Sequence, residues 1–274
     1  MRTLIGLFFV AASLTACTGD NPDYMTGAQD DLAERPTPDL QTLDLGALSV
    51  PSEMVLVSGG SHVMGSDDGA ADERPAHRVT LKSFLLHKTP VTVAAYRRCL
   101  GCTAPGTGKL CNWTSAAGAR EDHPVNCTSW HQATAYCASL GKRLPTEEEW
   151  EYAARGEMDS TYAWGSEAPI SPRKGKSQLC WDLADGTCPV GAFSATLVGQ
   201  PAQPGASDLA GNVWEWMATI YCSYGAPPKC SEFHVLRGGA WNRTDPFDVR
   251  AARRNATVSD GQPTDVGFRC ARSL

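Results

Sequence analysis

The chain has 274 residues, 42% of them hydrophobic and 20% charged, which suits one large or two small globular domains. A formal net charge of −6 and the lack of any basic run argue against a nucleic-acid partner.

The first element is a targeting signal. Arg2 supplies a short positive region, and Leu4 to Leu14 form an apolar run too short for a stable membrane span. The run ends in Leu14-Thr15-Ala16-Cys17, which resembles a bacterial lipobox. That resemblance implies a signal peptide over residues 1–16, cleavage before Cys17 and a lipid on Cys17 that makes the membrane a partner. Thr18 follows, with no aspartate to signal inner-membrane retention. The expectation is a lipid-anchored protein of the bacterial cell envelope, on the outer membrane in a diderm. Residues 17–48 read as a flexible tether, because Pro36 and Pro38 oppose both helix and strand ladders in a stretch with few aromatics.

From Met54 the pattern changes. Met54-Val-Leu-Val57 predicts a buried strand and Gly59-Gly60 a turn. Asp67, Asp68, Asp72 and Glu73 read as a solvated acidic loop. His77 to Phe84 alternates as a half-exposed strand does. Thr92 caps a short helix running to about Leu100, and the Cys/Gly/Pro-rich segment 101–122 reads as a long stapled loop. Ser129 with Gln132, then Thr146 with Glu149, form two capping boxes, each opening a helix; Gly141 and Gly156 close them. Glu147, Glu148 and Glu149 sit in a first turn, where the helix dipole favours anions. Consecutive helical positions point about 100° apart, so these three cannot converge on one ion.

Beyond residue 157 the chain is irregular, with short strands predicted at Val235 to Gly239, Val249 to Arg254 and Gly267 to Ala271. Within it, Asp208-Leu-Ala-Gly-Asn-Val-Trp-Glu-Trp216 crowds two carboxylates, an amide and two tryptophans into nine residues. Asp208 and Glu215 are either hard oxygen donors for a calcium-like ion or an acid and base pair. With Cys17 set aside, ten cysteines remain, an even number that reads as a disulfide framework in an exported chain. Cys180 with Cys188, and Cys222 with Cys230, bracket short loops and suit local staples. Cys99-Leu-Gly-Cys102 has zinc or redox spacing, but structural disulfides are the favoured reading here. Spacing leaves the pairing of Cys99, Cys102, Cys111 and Cys127 open. The six histidines show neither a helical i,i+4 pair nor a 2-His-1-carboxylate spacing, and no Gly-x-Ser-x-Gly elbow or phosphate loop occurs. The whole is a loop-rich, disulfide-stapled α+β chain with one domain over residues 49–274.

Several phrases then add up in order. They are Met64-Gly65, Pro90-Val-Thr92, Pro124-Val125 with Ser129-Trp130, Gly141 to Gly156, Gly211-Asn-Val-Trp-Glu-Trp216, Arg237-Gly-Gly239 and Gly267-Phe-Arg269. Over roughly residues 52–272 they resemble the formylglycine-generating enzyme (sulfatase-modifying factor) family. The resemblance implies an irregular C-type-lectin-like fold. It also implies a structural calcium on the side chains of Asp208 and Glu215 and the carbonyls of Gly211 and Val213, and a disulfide between Cys137 and Cys270. The family's second calcium site falls at the Cys180–Cys188 loop, where its ligands find no match.

The resemblance fails at the catalytic positions. The family's two copper-binding cysteines correspond to Arg243 and Asp248, and the serine after the paired glycines to Ala240. Copper(I) selects soft thiolates, so neither copper nor formylglycine-generating activity is expected. Trp214, Trp241, Arg243 and Asp248 are the candidates to line the ligand cleft. Arg237, Arg250, Arg253 and Arg254 lie near it, and for most of these arginines pairing with Asp245, Asp248, Glu215 and other acids is the favoured role. The leading expectation is a binding module for a peptide, glycan or partner protein. Its alternative is a divergent oxidoreductase of the same superfamily, a protein-modifying oxidase or non-haem metal enzyme.

Overall fold

A nine-residue helix buried on nearly every side organises the domain. In a computed structural model, which describes residues 50–172, 179–193, 205–225 and 227–274, helix α3 spans Glu147–Arg155 and keeps only Glu148 partly exposed. Its start is the expected capping box: Thr146 Oγ1 accepts from the Glu149 N–H at 3.2 Å, and Glu149 Oε2 accepts from the Thr146 N–H at 2.9 Å. Gly156 closes it at φ +61°. Helix α1, Val93–Arg97, is capped by Thr92, and α2, Trp130–Ser139, by the Ser129/Gln132 box. The chain divides into Met1–Leu48 and Ser49–Leu274, and every described residue belongs to the second unit. Cys17 and the tether lie outside the described residues.

Among the described residues, nine short strands make three sheets. β1 (Met54–Val57), β4 (Phe84–His87) and β9 (Ala271–Ser273) form one in the order β1-β4-β9, so the two ends of the domain share a sheet. β2 (Gly60–Met64) and β3 (His77–Leu81) form a hairpin. β5 (Trp214–Cys222), β6 (Cys230–Arg237), β7 (Arg254–Thr257) and β8 (Val266–Gly267) form the third, in the order β7-β6-β5-β8, with β8 parallel to β5. The core lies where α3 meets the sheets: Trp150 and Ala154 pack toward Met217 and Val235, and Tyr152 and Ala153 toward Val57, Phe84 and Ala271.

Four local expectations change. The strand expected over Gly267 to Ala271 is instead the end of β8 and the start of β9, with residues 268–270 outside both. The alternating stretch from His77 to Phe84 is not one strand. It breaks at Lys82-Ser83, with β3 pairing to β2 and β4 to β1. Ser83 Oγ accepts from the Gly59 N–H at 2.9 Å at this crossing, and a Cβ on Gly59 would fall 2.6 Å from the Leu81 carbonyl oxygen. Residues 249–253 do not form a strand either. Asp245 caps the Phe247 N–H at 2.9 Å and Pro246 starts a 3-10 turn over Pro246–Val249, so β7 begins only at Arg254. Finally, the segment ending at Trp216 runs directly into β5, a strand that no alternation in the sequence announces.

Five disulfides close the described chain: Cys99–Cys102, Cys111–Cys127, Cys137–Cys270, Cys180–Cys188 and Cys222–Cys230. The two local staples and the Cys137–Cys270 bridge are those expected. The structure supplies the pairing that spacing left open.

Candidate ligand cleft and its buried charges

The segment from Asp208 to Trp216 is a wound loop feeding a strand. Asp208, Gly211 and Asn212 have φ of +56°, +75° and +60°, a conformation that Asp, Asn and Gly tolerate best. Gly211 is required, since a Cβ there would fall 2.4 Å from the Cys180 carbonyl oxygen. Asn212 is clamped on all sides. Its N–H donates to the Cys180 carbonyl at 2.7 Å, its carbonyl accepts from the Trp241 N–H at 2.9 Å, and its amide bonds Cys188 in both directions. The Cys180–Cys188 loop is thus fastened to this segment through Asn212.

Asp208 is buried, and its Oδ2 accepts from the Gly191 N–H at 2.7 Å. Burial pushes its carboxyl up to about 6, opposed by that hydrogen bond and the nearby Arg269 charge. Among the described residues no donor reaches the buried carbonyls of Gly211 and Val213. Two orphaned carbonyls beside a buried carboxylate suit an oxygen-coordinating cation. Glu215 fits less well. It is 0% exposed, Arg269 binds both of its oxygens at 2.7 Å, and Oε2 also accepts from Trp150 Nε1 at 2.9 Å. Arg269 further donates to the carbonyls of His87, Lys88, Ser207 and Asp208. A cation at Glu215 would share a carboxylate already neutralised by a guanidinium.

The cleft candidates separate into two groups. Trp214 and Trp241 are 1% and 3% exposed and belong to the core around Val125, Cys137 and Phe268, so they are not free cleft walls. β5 turns Trp214 inward, and the Trp241 N–H is pinned to Asn212. Arg243 and Asp248 stay partly exposed. Arg243 Nη2 pairs with Asp265 Oδ2 at 2.5 Å, and its guanidinium lies 5.9 Å from the Trp214 ring centroid. Asp248 lies 3.5 Å from Arg253 Nε. The two sit in different ion pairs. The indole N–H groups of Trp214 and Trp241 and the Nε of Arg243 are buried without a partner among the described residues.

The neighbouring arginines are paired, as expected for most of them, but largely with acids of α3 and of the loop before β3. Arg250 binds both oxygens of Glu73 at 2.8 and 2.7 Å, and Arg254 grips Glu147 at 2.7 and 3.0 Å. Arg237 pairs with Glu151 and lies 3.4 Å from Glu147. Arg155 Nη1 binds Glu151 at 2.6 Å. Asp72 accepts from the Tyr221 hydroxyl at 2.7 Å. The acidic loop is therefore not wholly solvated, and Glu147 serves as a buried counter-ion besides lying in the first turn. A signal existed: Glu147, Glu151 and Arg155 recur at four-residue spacing, which places them on one helix face. Asp265 carried no local cue as the partner of Arg243.

A loop-rich, disulfide-stapled α+β domain with a wound glycine segment leading into a central strand defines a C-type-lectin-like class. A sequence profile of the sulfatase-modifying factor enzyme 1-like domain matches residues 46–274, and the chain belongs to that family. It is 33% identical to the mouse protein named inactive C-alpha-formylglycine-generating enzyme 2, over 84% of this chain and 89% of that one. It is 34% identical to a Chlamydia pneumoniae protein named serine/threonine-protein kinase pkn1, over 81% of this chain but only 38% of that relative's length. Among solved structures, PvdO from Pseudomonas aeruginosa aligns with a TM-score of 0.61 at 28% identity, over 81% of this chain and 94% of that one.

Proposed function

We propose that this is a lipid-anchored protein of the bacterial cell envelope whose sulfatase-modifying-factor-like domain binds a peptide, glycan or partner protein without catalysis. The cleft beside Arg243 and Asp248 is where the ligand sits. One observation carries the reading: all ten cysteines from Cys99 to Cys270 are in disulfides, so no thiolate is left among them to hold copper(I). The partly exposed Arg243, paired with Asp265, offers a cation to an acceptor-bearing ligand. The name of the mouse relative marks that protein as inactive, which agrees with a non-catalytic role. A structural calcium on Asp208 and the carbonyls of Gly211 and Val213 belongs to the same proposal.

The alternative is a divergent oxidoreductase of the superfamily. Purified protein should contain no stoichiometric copper or iron and form no aldehyde when incubated with oxygen and a Cys-x-Pro-x-Arg peptide. Either metal at one equivalent, or aldehyde in the peptide, decides for the enzyme. Anchoring is tested separately: a radioactive fatty acid should label the wild type and not Cys17→Ala, and label surviving the substitution sinks the lipid assignment.

A further inference from the structure

A second cleft is lined by residues that take no part in the ion network of α3. It has a volume of about 450 Å³, within the size of small-ligand sites, and is formed by the start of β1, the end of β4, α1 and the end of α2. Lys142 forms its polar end. The side chain is 8% exposed and donates to Glu53 Oε1 and to His87 Nε2, both at 2.9 Å. An ammonium carries three protons and accepts none, so His87 must be neutral at Nε2 and one Lys142 proton is unspent.

Two further donors face the same space. Arg98 ends α1, with its own N–H and that of Cys99 bonded back to Ala95 and Tyr96, and the Cys99–Cys102 bridge follows at once. Its guanidinium is exposed and has no carboxylate partner among the described residues. The ring of Tyr136 stacks on Tyr96 in the core, with centroids 5.2 Å apart, while its hydroxyl makes no hydrogen bond among the described residues. Arg98 and Lys142 thus outnumber Glu53, and the rest of the wall mixes the apolar Pro90, Val91, Ala95 and Leu140 with Thr89 and Thr92.

We propose that this cleft is a binding site for a small organic carboxylate with an apolar body. The carboxylate lies across the Arg98 fork, the free Lys142 proton and the Tyr136 hydroxyl, and the apolar body lies against Val91 and Leu140. A planar guanidinium matches a carboxylate bidentately. The unspent donor on a nearly buried lysine is the feature that an ordinary surface ion pair lacks.

Titration calorimetry of the full-length chain with hexanoate tests this. One saturable equivalent is expected. Inorganic phosphate and 1-hexanol should bind at least roughly tenfold more weakly, each lacking one half of the match. Arg98→Gln, at an exposed position, should weaken hexanoate binding roughly ten- to a hundredfold. Tyr136→Phe, which keeps the ring in the core, should weaken it measurably as well. No saturable heat with hexanoate, phosphate binding as tightly as hexanoate, or both variants binding like the wild type overturns the proposal.

Discussion

His87 sits at 8% exposure with an ammonium on one side and the Arg269 guanidinium nearby, and the half-exposed Glu53 is the one acid among the groups acting on it. Burial first, and then the Lys142 charge, depress its pKa to about 4, from 6.5 in the unfolded chain. The unfolded chain therefore binds the proton more readily between those values. His87 leaves stability intact above about pH 6.5 and costs progressively more as pH falls to about 4, up to about 3 kcal/mol. Urea titrations of the wild type and His87→Gln across this window should converge toward pH 4, with the wild type the steeper. Parallel curves would show that His87 does not carry the linkage. The same scale shows why Trp214 and Trp241 were misread. Aromatic residues near a family cleft look like ligand walls in a sequence, and only burial tells a wall from a core residue.

The segment from Asp208 to Cys222 joins two behaviours that a sequence shows separately, a wound loop and a strand. Its loop half was legible, because Gly211 and the flanking Asp and Asn advertise positive φ. Its strand half was hidden, since Trp214-Glu215-Trp216 puts a charge between two tryptophans and breaks the expected apolar pattern. Buried pairing explains the charge: Glu215 and Arg269 neutralise each other inside the core. This separates the two calcium candidates. Asp208→Ala should abolish the rise in melting temperature that calcium gives over chelator, with little change in chelator itself. Glu215→Ala should cost roughly 3–5 kcal/mol with or without calcium, because it strands Arg269 and Trp150. Identical wild-type melting in calcium and chelator would remove the ion from the account. Helix α3 makes a similar point. Its caps were readable locally, whereas the roles of Glu147 and Glu151 depend on arginines 86 to 107 residues away.

The domain is closed on itself. β1, β4 and β9 bring its two ends into one sheet, and Cys137–Cys270 ties α2 to the chain just before β9 across 133 residues. A loop of that length loses much entropy when closed in the unfolded state. Replacing both cysteines with alanine should cost about 3–5 kcal/mol in chemical denaturation, and a loss below about 1 kcal/mol would assign closure to the sheet alone. By itself the sequence determined the family, the three capped helices and a minority of the short strands, among them β1 and β3. Each of these is carried by residues close together in the chain. The tertiary structure alone decided which acids neutralise which arginines, which tryptophans are core, how Cys99, Cys102, Cys111 and Cys127 pair, and where Lys142, Arg98 and Tyr136 meet in a second cleft. Counter-ions and cleft walls are set by distance in space, and residues such as Glu73 and Arg250, or Glu147 and Arg254, are too far apart in the chain to announce each other.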